Sequence, residues 1–305
     1  VHPGAEVSWR AWRFSAAAGY KSFEDYVSGA GREVPSGFRV ADYALRSTVA
    51  TAGRQQWSVS WRQSFARDID HAGLMMDTEE DNTSMLSLDY QWRRTGEVFN
   101  GLTAKVYGTR VDHVMTNEKR PNFTMVEAVA PVQANTLGGK VEARWMPGKR
   151  QIWHTGVDYR YVGRGGERER LLKRNMMTGE ELPVPIKKVD PIWQDAGLHD
   201  VGFFAEGSLL LSERWTLVTG VRLDWVAARI GDPAASFAQL YDRLETTGEM
   251  NLSAHLSGNY ELPQGWAFQA ALGRGVRTAN MIERYIHHFT VGMDAYEYVG
   301  NPQLK

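Results

Sequence analysis

The feature that most restricts this chain is a two-residue rhythm of apolar and polar side chains along most of its length. Trp57, Val59, Trp61, Gln63 and Phe65 share one parity, and Ser58, Ser60, Arg62 and Ser64 share the other. The same rhythm runs through Leu86–Trp92, Leu137–Trp145, Trp153–Tyr161, Val201–Leu209, Trp215–Trp225, Leu252–Tyr260 and Trp266–Leu272, and more weakly through Val7–Tyr20, Phe38–Ala50 and Leu102–Met115. A strand sends successive side chains to opposite faces, so each stretch predicts a strand with one apolar and one polar side. About eleven strands result. No apolar run approaches the ~20 residues of a membrane-spanning helix. With 30 Gly, 11 Trp, 12 Tyr and 11 Phe, the composition has a β-like balance.

The connections alternate in length. Short ones lie at 51–56, 94–101, 147–151, 211–214 and 262–265, and long ones at 21–37, 67–82, 116–135, 163–198 and 229–247. Short turns at one end and long loops at the other are the habit of an outer-membrane β-barrel. Tryptophan placement agrees. Trp57, Trp92, Trp145, Trp153, Trp215 and Trp266 all sit beside a short turn and on the apolar parity of their strand. Indole has an apolar body and one polar N–H, so it favours the membrane–water boundary. Phe65, Tyr161 and Trp225 suit the opposite boundary. Strands of ~11 residues, rising ~3.3 Å each and tilted ~40°, span about 28 Å, close to the apolar band of such barrels.

The main alternative is a soluble β-sandwich acting as a binding module, in which strands also alternate. Its inner face would be nearly free of charge. Here the polar parity carries Arg62, Asp89, Arg93, Arg144, Asp158, Arg160, Glu206, Arg222 and Asp224, which suits a wet bore. The fold class expected is therefore all-β: a transmembrane antiparallel β-barrel, with residues 1–305 forming one barrel piece. Single-chain bacterial barrels have even strand numbers, so about eleven strands predict part of a longer chain, with any plug domain and the last strands outside it. The 35 Lys and Arg balance 36 Asp and Glu, which gives no argument for nucleic acid. The absence of cysteine excludes disulfides, thiolate metal sites and a cysteine nucleophile. No signal-peptide pattern opens the sequence.

Several stretches near the end resemble TonB-dependent outer-membrane receptors. They are Val201-Gly-Phe-Phe-Ala-Glu-Gly207, Trp215–Trp225 with Gly220, Arg222 and Asp224, Gly273-Arg-Gly-Val-Arg277, Glu283-Arg-Tyr285 and Gly300-Asn-Pro-Gln-Leu-Lys305. Together they cover about a third of the chain. The resemblance implies a barrel of about 22 strands with an N-terminal plug. It also implies energy from the inner membrane through the TonB–ExbB–ExbD complex, contacted by the N-terminal region. It further implies location in the bacterial outer membrane, against lipid and lipopolysaccharide. The implied activity is active uptake of a small metal or metal-chelate ligand, with no resident cofactor.

Methionine gathers where a ligand would first meet such a protein. Met75, Met76, Met115, Met125, Met176, Met177, Met281 and Met293 fall in the long loops or at the upper strand ends, where His71, His113, His287 and His288 join them. Loops on a rigid scaffold commonly carry binding. Thioether is a soft ligand that suits Cu(I), and imidazole suits copper in either state. The candidate ligand-binding set is His71, Met75, Met76, His113, Met115, Met176, Met177, His287 and His288. Its sharpest element is Val111-Asp-His-Val-Met115, which puts His113 and Met115 two apart on one strand face as the candidate metal pair. With Asn117 after it, this stretch is similar to a segment of TonB-dependent copper receptors. Packing of loop methionines against one another is the alternative role. Copper is the favoured cargo and a ferric siderophore the next.

Other loop features are less specific. Asp77–Asn82 is acidic and would suit a cation, and Arg164–Arg174 is basic and would suit an anionic siderophore or lipopolysaccharide phosphate. Either stretch is equally a solvated loop. No phosphate loop, HExxH or serine triad is present, so the sequence predicts no enzyme. A passive pore or a barrel enzyme is the remaining functional alternative.

Overall fold

The structure, a computed structural model, describes residues 4–304 apart from Glu97, Thr246, Thr247 and residues 291–295. The strands in chain order are β1 (Gly4–Trp9), β2 (Trp12–Phe23), β3 (Tyr26–Val27), β4 (Glu33–Val34), β5 (Phe38–Thr51), β6 (Gln55–Ile69), β7 (Asp77–Arg93), β8 (Phe99–Thr116) and β9 (Val126–Gly148). They continue as β10 (Gln151–Arg174), β11 (Glu181–Pro191), β12 (Ala196–Leu210), β13 (Trp215–Ile230), β14 (Glu249–Glu261), β15 (Ala267–Arg274), β16 (Phe289–Thr290) and β17 (Glu297–Tyr298). Two short helices, α1 (Ala235–Ala238) and α2 (Met281–Tyr285), lie in the last two long connections. No helix among the described residues is long and apolar enough to cross a membrane.

Thirteen strands form one antiparallel sheet in the order β1-β2-β5-β6-β7-β8-β9-β10-β12-β13-β14-β15, with β11 paired to β10. Apart from the two-residue β3 and β4 and the side partner β11, every neighbour in the row is the next strand in sequence, as in an up-and-down barrel wall. The expected parities are observed. Trp57, Leu86, Val106, Trp145, Phe203 and Trp215 face outward and are exposed. On the bore side Arg222 donates two hydrogen bonds to Asp158, at 2.7 and 2.9 Å. Lys140 meets Glu142 at 2.7 Å and Arg160 meets Asp200 at 3.1 Å. The aromatic girdle at the short turns is laced together: Trp57 packs on Tyr90, Trp92 on Phe99, Phe99 on Trp145, and Trp215 on Tyr260.

Two sequence expectations need correction. Val7–Tyr20 is two strands, turned at Arg10 with φ +54°. The turn holds no Gly, Asn or Pro, so nothing in the sequence marked it. The stretches 67–82 and 163–198 are mostly strand. β6 runs to Ile69 and β7 starts at Asp77, so the acidic run Asp77–Asn82 is strand. β10 continues through the basic run to Arg174 and forms a hairpin with β11. These extensions project past the outer aromatic rim, where water meets both faces and apolar alternation is not required.

The dry core sits at the loop end. Ile192, Trp193, Leu198, Val226, Ile230, Phe237, Met281, Tyr285 and Ile286 cluster there, where the connections after β13 and β15 fold back over the inner face. Gln194 ties them together. Its Nε2 donates to the Tyr285 carbonyl at 2.9 Å and its Oε1 accepts from the Ala234 N–H at 2.9 Å. Arg284, fully buried, donates to the carbonyls of Ala279 and Pro302 and to Glu249.

Candidate functional site

The upper ends of β7 and β8 set the geometry. The pairing is Thr78↔Met115 but Asp81↔His113, so one extra residue of β7 bulges between them. A bulge of this kind re-aims side chains. Thr78 and Asp81, three apart, both end on the inner face beside Met115 and His113. Asp81 Oδ2 lies 3.0 Å from His113 Nδ1. Asp81 Oδ1 accepts from the Thr83 hydroxyl at 3.0 Å. The bond to His113 is the leading cause that holds the Asp81 carboxyl below the usual carboxylate range. A carboxylate on one ring nitrogen fixes the imidazole and leaves the other nitrogen to bind a metal.

His113 and Met115 line a cavity of about 360 Å³ together with Met75, Met76, Val111, Ala130, Val132, Trp193, His288 and Phe289, and with the charged Asp81, Arg164 and Arg168. Its wall is predominantly apolar. Met76 and Met115 pack on the dry core. The loop between β6 and β7 brings Met75 and Met76 to the cavity, and a backbone and side-chain lock holds that loop. Asp77 accepts the His71 N–H at 2.8 Å, and the Arg120 guanidinium binds Asp77 and the His71 carbonyl, the latter at 2.6 Å.

Five of the nine sequence-predicted residues therefore share one chamber: Met75, Met76, His113, Met115 and His288. The other four do not. His71 spends its Nε2 on the Thr78 hydroxyl at 3.0 Å, and burial lowers its pKa. His287 is buried against Phe237 with its Nε2 3.0 Å from the Ser236 hydroxyl, and burial lowers its pKa too. Met176 and Met177 stand 60% and 96% exposed at the tip of the β10–β11 hairpin. Among the other methionines noted above, Met281 belongs to the core, and Met293 lies outside the described residues. His288 offers a partly committed ring, since its Nδ1 lies 3.0 Å from Glu297.

Among the described residues no group of three or more His, Cys, Asp or Glu could hold a metal ion. A metal in this chamber would depend on thioether sulfur. That donor set suits a soft ion and disfavours hard ones. Sequence reasoning missed Asp81 as the partner of His113, because the bulge alone brings it opposite. It also missed Trp193 as a wall of the chamber.

A sequence model described as "TonB dependent receptor-like, beta-barrel" matches residues 11–305. The chain belongs to the TonB-dependent receptor family. No curated protein matches it by sequence. Among solved structures, a TonB-dependent receptor barrel of this shape is similar to the copper transporter OprC, with a TM-score of 0.79 at 21% identity, covering 93% of this chain and 44% of that one. It is also similar to the hemophore receptor HasR of Serratia marcescens, at TM-score 0.69 and 14% identity over 93% of this chain and 44% of that one. The FrpB iron transporter of Neisseria meningitidis gives a TM-score of 0.64 at 13% identity over 89% of this chain and 44% of that one. The chain spans less than half the length of each of these structures. As a barrel of this family it resides in the bacterial outer membrane, with its short turns periplasmic and its long loops and chamber extracellular.

Proposed function

We propose that this TonB-dependent receptor takes up copper, captured first in the chamber formed by His113, Met115, Met75 and Met76. One observation carries the reading. Three thioethers and an imidazole pinned through its Nδ1 converge in one apolar cavity at the extracellular end. That arrangement gives soft sulfur and one nitrogen in a mostly apolar lining, whose one carboxylate, Asp81, is engaged with His113. The copper transporter OprC, similar in fold, supports the same reading. Uptake would draw on the TonB–ExbB–ExbD complex through the receptor's N-terminal region. The activity is transport, with copper as cargo and no resident cofactor, and no reaction is assigned.

A ferric siderophore is the second reading. It is favoured by a more polar chamber of about 490 Å³ lined by Arg160, Arg164, Arg222 and Arg277 with Asp200 and Asp224, in which Arg164 is the arginine left to meet an anionic chelate.

The test is copper binding by the full-length receptor. His113→Ala with Met115→Ala should weaken it by more than about 100-fold, because even outer-shell partners of metal ligands account for ~10–100-fold. Unchanged affinity would remove the copper reading.

A further inference from the structure

Among the described residues lining the two chambers, Arg164 is the arginine without an acidic partner. It lies on the inner face of β10, opposite Ala134 and Ala196. Its guanidinium lies 4.6 Å from the centre of the Trp193 ring, and its Nε is shut from solvent without an acceptor. The neighbouring arginines are already matched. Arg168 binds Asp190 at 3.0 Å and Arg160 binds Asp200 at 3.1 Å. Lower down, Arg222 binds Asp158 at 2.7 Å and Asp224 at 2.6 Å, and Arg277 binds Glu283 at 2.7 Å. Among the described residues Arg164 has no carboxylate or carbonyl partner.

Arg164 is half-buried, and a partly desolvated guanidinium without a bound counter-charge is unfavourable, a loss that one aromatic face recovers only in part. Arg164 also lines both the methionine chamber and the polar chamber below it. A bare copper ion entering the first chamber would add positive charge beside an unpaired guanidinium. A copper complex that carries a carboxylate would instead neutralise it. A planar guanidinium suits that group, because it presents paired N–H donors to two oxygens.

We propose that Arg164 is an anion anchor, and that the chamber receives its metal as a small carboxylate chelate with the carboxylate on Arg164 and the metal toward His113 and Met115. The inference rests on the copper reading for the metal half and stands apart from it for the anion half. Retention of labelled citrate by the full-length receptor tests it, with and without equimolar Cu(II). Binding of Cu(II) in a non-coordinating sulfonate buffer provides the comparison.

Arg164→Gln should lower citrate retention by about 10-fold or more, the usual loss when a charge-assisted hydrogen bond is removed. It should not weaken Cu(II) binding in the sulfonate buffer, where loss of the neighbouring positive charge favours a bare ion, and Arg164→Lys should recover part of the citrate binding. His113→Ala with Met115→Ala should weaken copper binding by more than about 100-fold and spare metal-free citrate. Wild type that retains no citrate, or Arg164→Gln that retains as much as wild type, overturns the anchor. Arg164-dependent citrate retention in a receptor that binds no copper would uphold the anchor and defeat the copper reading alone.

Discussion

Single side chains hold the extracellular end of this barrel in shape, and Arg284 is the clearest case. It is fully buried and meets Glu249 at 2.6 Å. Removing one partner of a buried pair leaves the other charge stranded, at about 3–5 kcal/mol. Arg284→Gln should therefore lower the thermal midpoint of the full-length receptor markedly, while a change at an exposed position such as Arg32→Gln should not. Gly300 lies against it. A Cβ there would meet the Arg284 carbonyl carbon at 2.5 Å, so Gly300→Ala must shift backbone.

Glu283 gives a pH signature to the same segment. It caps α2 with Asn280 and pairs with Arg277, and chiefly through Arg277 its carboxyl falls from 4.5 to about 2. A depressed folded pKa stabilises above the ordinary value and loses that effect as pH falls through the lowered one. Wild type and Glu283→Gln should differ in stability above pH 4.5 and converge near pH 2. The spacing of His113 and Met115 was legible in the sequence because it needs only the strand period. The Asp81 contact was not, because the bulge between Thr78 and Glu80 decides which β7 residue faces inward.

At the level of elements, alternation was a reliable guide where lipid lies on one side and water on the other. It lost its grip where strands rise above the membrane, as in β11 and the top of β10. There Leu182, Val184 and Ile186 do alternate, but Pro183 and Pro185 stand between them and argue against a strand, and Val184 and Ile186 stay exposed. The same contrast makes a prediction. Val141 faces outward in the middle of β9, exposed to the bilayer. Val141→Arg should destabilise the receptor by about 2–4 kcal/mol in a folding titration into lipid. Ser87→Arg, on the bore side and beside Asp89, should change stability by less than about 1 kcal/mol. Equal costs would mean that the two faces had been assigned wrongly. The β10–β11 hairpin offers a second check. Met176→Leu with Met177→Leu should leave copper affinity unchanged, since both stand at its exposed tip outside the chamber.

For the whole molecule, the wall and the chamber answer to different physics. The wall follows from burial against lipid, a rule written into every second residue, and it aligns with known receptors over 93% of the chain at only 21% identity. The chamber depends on long-range meetings. It joins the loop before β7, the tops of β8 and β10, Trp193 and the segment after α2, so that Met75 and Phe289, more than two hundred residues apart, share one lining. No local pattern announces such a junction, although the enrichment of methionine at the loop end pointed to its neighbourhood. The direct measurement is X-ray absorption at the copper edge on the loaded full-length receptor, compared with His113→Ala/Met115→Ala. We predict a first shell of sulfur and imidazole nitrogen that disappears in the double variant. A shell of oxygen and nitrogen alone, identical in both proteins, would contradict the account.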